Sequence, residues 1–365
     1  MEHGKGTVVG LVKEMQFWQG KKVLITGHTG FKGSWLSLWL NHLGAKVTGY
    51  SLDAEANSLF TSARIGQLIT STVGDVRNLE HLTKAFASCQ PDIIIHMAAQ
   101  SLVRPSYDDP VGTFSTNVMG TVNVLEAVRH SSSAKAVVIV TSDKCYENKD
   151  WVWGYREQDP MGGHDPYSAS KGCAELAASA YRRSFFQGEG AASATVRAGN
   201  VIGGGDWSVD RIVPDIIRAI SKGKAVSVRS PNAVRPWQHV CEPLQGYLML
   251  AEQLYTKGKE YAEGWNFGPD DEGATTVSWL VDYMCKKWGQ GASWGHDPDV
   301  YPHEANYLKL DCSKAKARLG WRPRLKVSTA LDWTVEWYRN SLNGADVKNM
   351  AEQQIVRYQG LCDDE

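Results

Sequence analysis

Lys22-Val-Leu-Ile-Thr26 runs directly into Gly27-His-Thr-Gly30-Phe-Lys-Gly33, and from there into the amphipathic stretch Ser34–Leu43, closed by Gly44. No other part of the chain restricts the fold as tightly. A short apolar strand, three glycines spaced by three and a helix leave unpaired N–H groups at the helix start, aimed at whatever sits above the turn. That arrangement suits a pyrophosphate. Gly27, Thr29, Gly30, Phe31, Lys32 and Gly33 are therefore the predicted cofactor contacts of the turn, and His28 reads as a loop residue. A second strand, Lys46–Leu52, ends at Asp53, twenty residues after Gly33. A carboxylate there accepts hydrogen bonds from adenosine ribose hydroxyls and repels a 2′-phosphate, which favours NAD over NADP. The alternative is a glycine turn that binds nothing.

Strand and helix patterns keep alternating after this unit. Ser71–Asp75 reads as a third strand, followed by a helix over Asn78–Ser88 and the strand Asp92–Met97. Ala98-Ala99-Gln100 follows, then a helix over Asp109–Ser132 and the strand Ala136–Thr141. Near-continuous Val and Ile runs are typical of parallel strands covered on both faces. The predicted fold is α/β, a doubly wound parallel sheet of Rossmann type, with a smaller mixed α/β C-terminal substrate-binding domain. Ligands bind such sheets at the carboxyl ends of the strands, where Gly27, Asp53, Asp75, Val76, Ala98, Ala99, Gln100 and Ser142 gather.

Composition matters here mainly for what it excludes. A net charge of −1 over 365 residues suggests neither nucleic acid nor a membrane surface as partner. No apolar run is long enough to span a bilayer and no signal peptide is visible, so a cytoplasmic location is expected. The seven cysteines are scattered without a C-x-x-C pair, so no metal site is predicted.

The chemistry concentrates in Ser142-Asp143-Lys144 and Tyr167-Ser-Ala-Ser-Lys171. On a helix, Tyr167 and Lys171 lie one turn apart on one face. A phenol near pKa ~10 acts as a base at neutral pH only when a cation holds its anion. Lys171 is placed to do so, and the Ser142 hydroxyl is placed to orient a substrate oxygen.

Together these motifs carry a resemblance. The chain resembles the extended short-chain dehydrogenase/reductases, in their nucleotide-sugar 4,6-dehydratase branch, over roughly residues 20 to 340. The G-x-x-G-x-x-G turn, His96-Met-Ala-Ala-Gln100, Thr141-Ser-Asp-Lys-Cys-Tyr146, Tyr167–Lys171, Arg197-Ala-Gly-Asn200 through Trp207, and Arg235-Pro-Trp-Gln-His239 carry it. The resemblance implies an NAD-dependent enzyme acting on a nucleotide sugar, in which C4 is oxidised, water leaves across C5–C6, and the hydride returns to C6. It implies Tyr167 as base on the C4 hydroxyl, Ser142 as its hydrogen-bond partner and Lys171 at the nicotinamide ribose. Asp143 is implied as acid for the C6 hydroxyl. Lys144 stands where dTDP-glucose members carry Glu, as it does in members acting on CDP-sugars. It serves either as a neutral base or as a charged stabiliser of the enolate. An epimerase on this scaffold has no need of the Asp143-Lys144 pair, and a non-catalytic NAD-sensing protein has no need of Tyr167 and Lys171.

The resemblance also implies Arg104, Arg197, Asn200, Arg211, Arg235, His239 and Tyr301 as substrate contacts, with Arg235 and His239 clamping the pyrophosphate unless they form structural pairs. His303 and Glu304 either line the base pocket or lie on a surface loop. Asn117 is either a cofactor contact or a structural residue. Most tryptophans read as core, although Trp207 and Trp237 flank candidate substrate residues. The expected division is an NAD-binding domain over 16–200, with 238–268 returning to it. A smaller nucleotide-sugar-binding domain covers 201–237 and 269–342, and 1–15 and 343–365 are peripheral tails. A homodimer or homotetramer is expected, through helices Gly112–Ser132 and Tyr167–Phe186, where Ala174, Ala177, Ala178 and Ala180 permit close packing.

Overall fold

The computed structural model describes residues 16–188, 190–299 and 307–361. Its centre is a seven-stranded, wholly parallel sheet in the order β3-β2-β1-β4-β5-β6-β10. The strands are β1 (Lys22–Thr26), β2 (Lys46–Ser51), β3 (Thr70–Val73), β4 (Ile93–His96), β5 (Ala136–Val140), β6 (Ala192–Ala198) and β10 (Gly264–Phe267). The order reverses between β1 and β4, so a crevice opens above their carboxyl ends. Every residue of β5, Ala-Val-Val-Ile-Val, is buried, as expected for a central parallel strand covered on both faces.

The helices that follow the strands have clear starts. Helix α1 (Phe31–His42) begins at the end of the glycine turn and α2 (Leu79–Cys89) is capped by Asn78, whose side chain accepts from His81 N. The predicted single helix from Asp109 to Ser132 has three parts: a short turn Pro110–Phe114, a wider π-helical turn Ser115–Met119, and α3 (Gly120–Arg129). Helix α4 (Pro166–Ser184) carries Tyr167 and Lys171. Pro166 occupies its first turn and the Asp165 side chain accepts from Ser168 N at 2.9 Å, which fixes the helix start.

A three-stranded sheet, β11-β9-β7, and a two-stranded one, β12-β8, lie beyond β6. Their strands are β7 (Asn200–Ile202), β8 (Val226–Val228), β9 (Val234–His239), β11 (Ala274–Thr276) and β12 (Trp294–His296). Helix α5 (Cys241–Lys257) then returns to pack on β5 and β6.

Two further expectations differ from what is found. Residues Ser34–Leu40 of α1 are buried all round, not on one face. The second cover is the C-terminal segment: α6 (Val327–Leu342) and α7 (Val347–Leu361) form a helical layer in which Ile355 and Tyr358 are fully buried. Tyr358 sets its ring 5.8 Å from that of Trp39 and donates at 2.7 Å to the buried Glu242 carboxylate. The segment from 343 is therefore no peripheral tail as far as Leu361, whereas residues 1–15 lie outside the described residues. A large side chain buried this completely contributes about 1.5–3 kcal/mol, which explains why a polar-looking terminus folds back.

Candidate active site

The crevice above β1, β4 and β5 is a cleft of about 550 Å³. Phe31 and Lys32 from the glycine turn, Ala99 and Arg104 after β4, Ser142, Asp143 and Lys144 after β5, and Tyr167 and Lys171 from α4 all line it. Asn200 and Arg235 close it from the three-stranded sheet, and Arg211 from the loop that follows β7. Lys32, Lys144, Lys171, Arg104, Arg211, Arg229 and Arg235 face Asp143, Asp206, Asp210 and Asp299, an excess of cations that favours a polyanionic ligand.

The glycine turn fits a dinucleotide pyrophosphate. Gly27 has φ +76°, and a Cβ there would lie 2.6 Å from Ala98 N. A Cβ on Gly33 would lie 2.2 Å from the Gly27 carbonyl oxygen. Both approaches are closer than any side chain permits, so the turn exists only with glycine, and Gly30 has ordinary clearance. The Thr29 hydroxyl is tied to Ser51 Oγ at 2.8 Å. Asp53 is exposed just past the end of β2. The Asp75 carboxylate is engaged by Arg77, which also holds it below the ordinary carboxylate range, and Val76 is buried beside it. His28 is more than a loop residue: it is buried, sits over Gly49 and meets Ser71 Oγ at 2.7 Å. Burial pushes its imidazole down to about 4.

The catalytic candidates converge. Ser142 Oγ donates to Asp143 Oδ1 at 3.1 Å and accepts from Lys144 N at 3.2 Å, so the turn Asp143–Cys145 is capped by the same hydroxyl that faces Tyr167. Burial pushes the Tyr167 phenol up to about 12, against the Ser142 hydroxyl and the Arg211 charge, which act to lower it. Burial outweighs the lowering that Ser142 and Arg211 supply. Lys171 Nζ donates to Val140 O at 3.2 Å, and burial draws its ammonium down to about 8. Lys32 is drawn to about 7 by burial, with Lys171 and Arg211 repelling it and Asp143 opposing the drop. Asp143 is 3% exposed, and its Oδ2 has no hydrogen-bond partner among the described residues. Burial raises its carboxyl above the ordinary range, more than Lys144, Ser142 and Arg235 lower it.

Several predicted contacts are elsewhere. Arg197 is 4% exposed and forms a buried pair with Glu175 at 2.8 Å, so it faces the core behind the cleft. His239 is fully buried between the rings of Trp35 and Trp333, and burial holds its imidazole down near 3. A neutral ring in that place is no pyrophosphate clamp. Asn117, in the π-helical turn, receives Gln100 N at 2.9 Å and donates to Gln100 O and Ser170 Oγ, both at 2.9 Å. It fastens the loop after β4 to α4. Gln100 in turn spends its amide on Leu102 and Thr113, and Ala98 N donates to Thr26 Oγ1. Tyr301, His303 and Glu304 lie outside the described residues. Trp237 lines the cleft, and Trp207 packs on Tyr338 instead.

Sequence reasoning missed Asp210, Arg229 and Ser101. Asp210, in the left-handed region at φ +61°, accepts from Arg104 at 2.6 Å and lies 3.6 Å from Arg229, and Ser101 Oγ accepts from Arg211 at 2.9 Å. These residues come from three separate loops, and no spacing in the sequence links them.

A family model described as GDP-mannose 4,6 dehydratase matches residues 24–334. The chain belongs to that family. It is 54% identical over 351 residues to the CDP-glucose 4,6-dehydratase of Salmonella typhimurium, a match that covers 94% of this chain and 98% of the relative. It is 26% identical to the dTDP-glucose 4,6-dehydratase of Haemophilus influenzae, over 87% of this chain and 97% of that one. Among solved structures, a dTDP-glucose 4,6-dehydratase from Streptomyces venezuelae with NAD bound superposes with a TM-score of 0.76 at 24% identity, covering 88% of this chain and 98% of that one. A UDP-glucose 4-epimerase from Thermotoga maritima superposes with a TM-score of 0.75 at 22% identity, covering 88% and 99%. Dehydratase and epimerase structures thus share this fold.

Proposed function

We propose that this protein is an NAD-dependent CDP-glucose 4,6-dehydratase that forms CDP-4-keto-6-deoxy-glucose. The observation that carries the reading is Asp143: a buried carboxyl with a free Oδ2 and a raised pKa, beside Ser142 in the cleft of Tyr167 and Lys171. Oxidation and reduction at C4 alone need no such acid, whereas loss of the C6 hydroxyl does. The 54% identity to a CDP-glucose enzyme supports the choice of nucleotide.

NAD, when bound, supplies acceptance of a hydride from C4 and its return at C6. The Gly27–Gly33 turn and the start of α1 would hold its pyrophosphate, Asp53 its adenosine ribose and Lys171 its nicotinamide ribose. Tyr167 takes the proton of the C4 hydroxyl, which Ser142 orients. Its phenol is neutral at rest, and Arg211 and Lys171 offset the negative charge as the proton leaves. The ketone at C4 makes the C5 proton acidic. Asp143 gives its proton to the departing C6 oxygen, and Lys144 beside it takes the C5 proton and gives it back to C5 once C6 is reduced. Arg104, Arg211 and Arg235 meet the diphosphate, with Asn200 next to the sugar. As part of the same reading we place the enzyme in the cytoplasm as a homodimer or homotetramer. The exposed Val111, Met119 and Leu176 around the helices of the π-helical turn and α4 support that assembly; no helix among the described residues is long and apolar enough to cross a membrane.

The test is incubation with CDP-, dTDP-, GDP- and UDP-glucose without added reductant. The reading expects a 4-keto-6-deoxy product from CDP-glucose. Formation of the C4 epimer instead overturns it.

A further inference from the structure

Directly behind the cleft lies a buried polar network that the mechanism does not use. Glu175 follows Lys171 by one turn of α4 and is 5% exposed. Its Oε1 accepts from Thr141 Oγ1 at 2.5 Å and Arg197 Nε at 2.8 Å, and its Oε2 from Thr195 Oγ1 at 2.7 Å and Arg197 Nη2 at 2.8 Å. Arg197 Nη1 donates to the Tyr146 hydroxyl at 2.6 Å, which donates to Asn266 Oδ1 at 2.7 Å. The network reaches the reacting groups at two points. Thr141 immediately precedes Ser142, and residues four apart on a helix have neighbouring Cβ atoms, about 5–6 Å apart.

A buried ion pair is weak ground for stability, since apolar residues of the same volume often serve as well. Its place beneath Lys171 suggests a different use. Lys171 loses solvent on every side and faces Lys32 from α1 and His96 from β4, with Tyr167 on its own helix and Cys145 below. His96 is held neutral near 3 by burial between Thr26 and Thr121, and burial keeps the Cys145 thiol protonated. Glu175 is the anion that remains, and Arg197 with the two threonine hydroxyls keeps it ionised despite its burial.

We infer that Glu175 is a positioning residue for Lys171: its carboxylate, fixed by Arg197, Thr141 and Thr195, keeps the Lys171 ammonium charged inside a cation-rich cleft. This rests on the reading of Lys171 as the charged partner of the nicotinamide ribose and of Tyr167. The sign follows from Coulomb's law. Removing the anion disfavours the ammonium, so Lys171 titrates at lower pH. The shift is on the order of one pH unit.

The test follows the Lys171 Nζ resonance in protein labelled with ¹⁵N-lysine, assigned by its loss in Lys171→Arg. Glu175→Gln leaves Arg197 buried without its partner, which threatens the fold. The decisive comparison is therefore Glu175→Gln/Arg197→Met against Arg197→Met, two variants that differ only by the Glu175 carboxylate. The inference expects the double variant to melt close to wild type while its Lys171 titrates about one pH unit below that of Arg197→Met. Folded variants whose Lys171 midpoints coincide overturn it and leave the network a structural clamp. Because the resonance is read without turnover, absence of dehydratase activity would sink the functional reading and still leave the titration to decide this one.

Discussion

Replacing Arg197 by methionine separates the two meanings that its position in the sequence allows. In the structure the guanidinium donates twice to Glu175, once to the Tyr146 hydroxyl and once to the Glu157 carbonyl. Methionine fills much of the same volume and leaves the Glu175 carboxylate, 5% exposed, with only the hydroxyls of Thr141 and Thr195. Breaking a buried pair from one side costs about 3–5 kcal/mol, and at roughly 2 °C per kcal/mol for a chain of this size the melting temperature falls by about 6–10 °C. The pH dependence has a definite sign. In the native pair Glu175 is held below its ordinary pKa, so it contributes stability at pH above the unfolded value near ~4.3 that fades as pH falls. In the variant only the two hydroxyls oppose burial, and the pKa rises. The deficit is then largest at neutral pH and shrinks as acid protonates the carboxyl. Melting curves of both proteins from pH 5 to 8, with KM measured alongside, decide the matter. A variant that melts like wild type at every pH but has a greatly raised KM would refute the core placement and return Arg197 to the substrate.

Three further outcomes follow from the same geometry. Gly33→Ala places a Cβ 2.2 Å from the Gly27 carbonyl oxygen; overpacking of about 1–3 kcal/mol at the turn should weaken NAD binding by roughly tenfold or more, read by calorimetry, and unchanged affinity would disprove the cradle. Asp143→Asn should lower kcat by about 10²–10⁴. It should also abolish the alkaline limb set by Asp143, because the acid is protonated below its raised pKa and lost as pH climbs through it; persistence of that limb would assign it to another group. Tyr358→Phe removes one of three donors to Glu242, whose carboxyl burial raises to about 7. Glu242 therefore favours the folded state below the unfolded pKa and loses that contribution as pH rises through about 7. The variant should be about 1.5–3 kcal/mol less stable at pH 8, with a smaller deficit at pH 5; an equal deficit at both would contradict it.

Much of this molecule is legible in local patterns. The strand–turn–helix at Lys22–Leu43 and the Val/Ile runs at Ile93 and Ala136 specify parallel strands because nothing but burial on two faces tolerates them. Ser142, Asp143, Tyr167 and Lys171 were readable for a similar reason, since each sits at a strand end or on one helix face. What escaped depends on partners distant in sequence. Arg197 looks like a strand-end ligand until Glu175, on another element, claims it. His239 follows a motif arginine, yet Trp35 and Trp333 enclose it. The C-terminal segment reads as polar because its few buried residues, Ile355 and Tyr358 among them, match a helix 300 residues earlier. Asp210 and Arg229 meet only once three loops have folded together.

The central claim is that a single hydride is moved within one sugar while Asp143 releases water. The most direct measurement is turnover of CDP-glucose deuterated at C4, in the absence of any reductant, with the product analysed by NMR and mass spectrometry. The account predicts one deuterium in the C6 methyl group of a 4-keto-6-deoxy product and none lost to solvent. Deuterium retained at C4 of an epimerised sugar, or washed out of a dehydrated one, would contradict it.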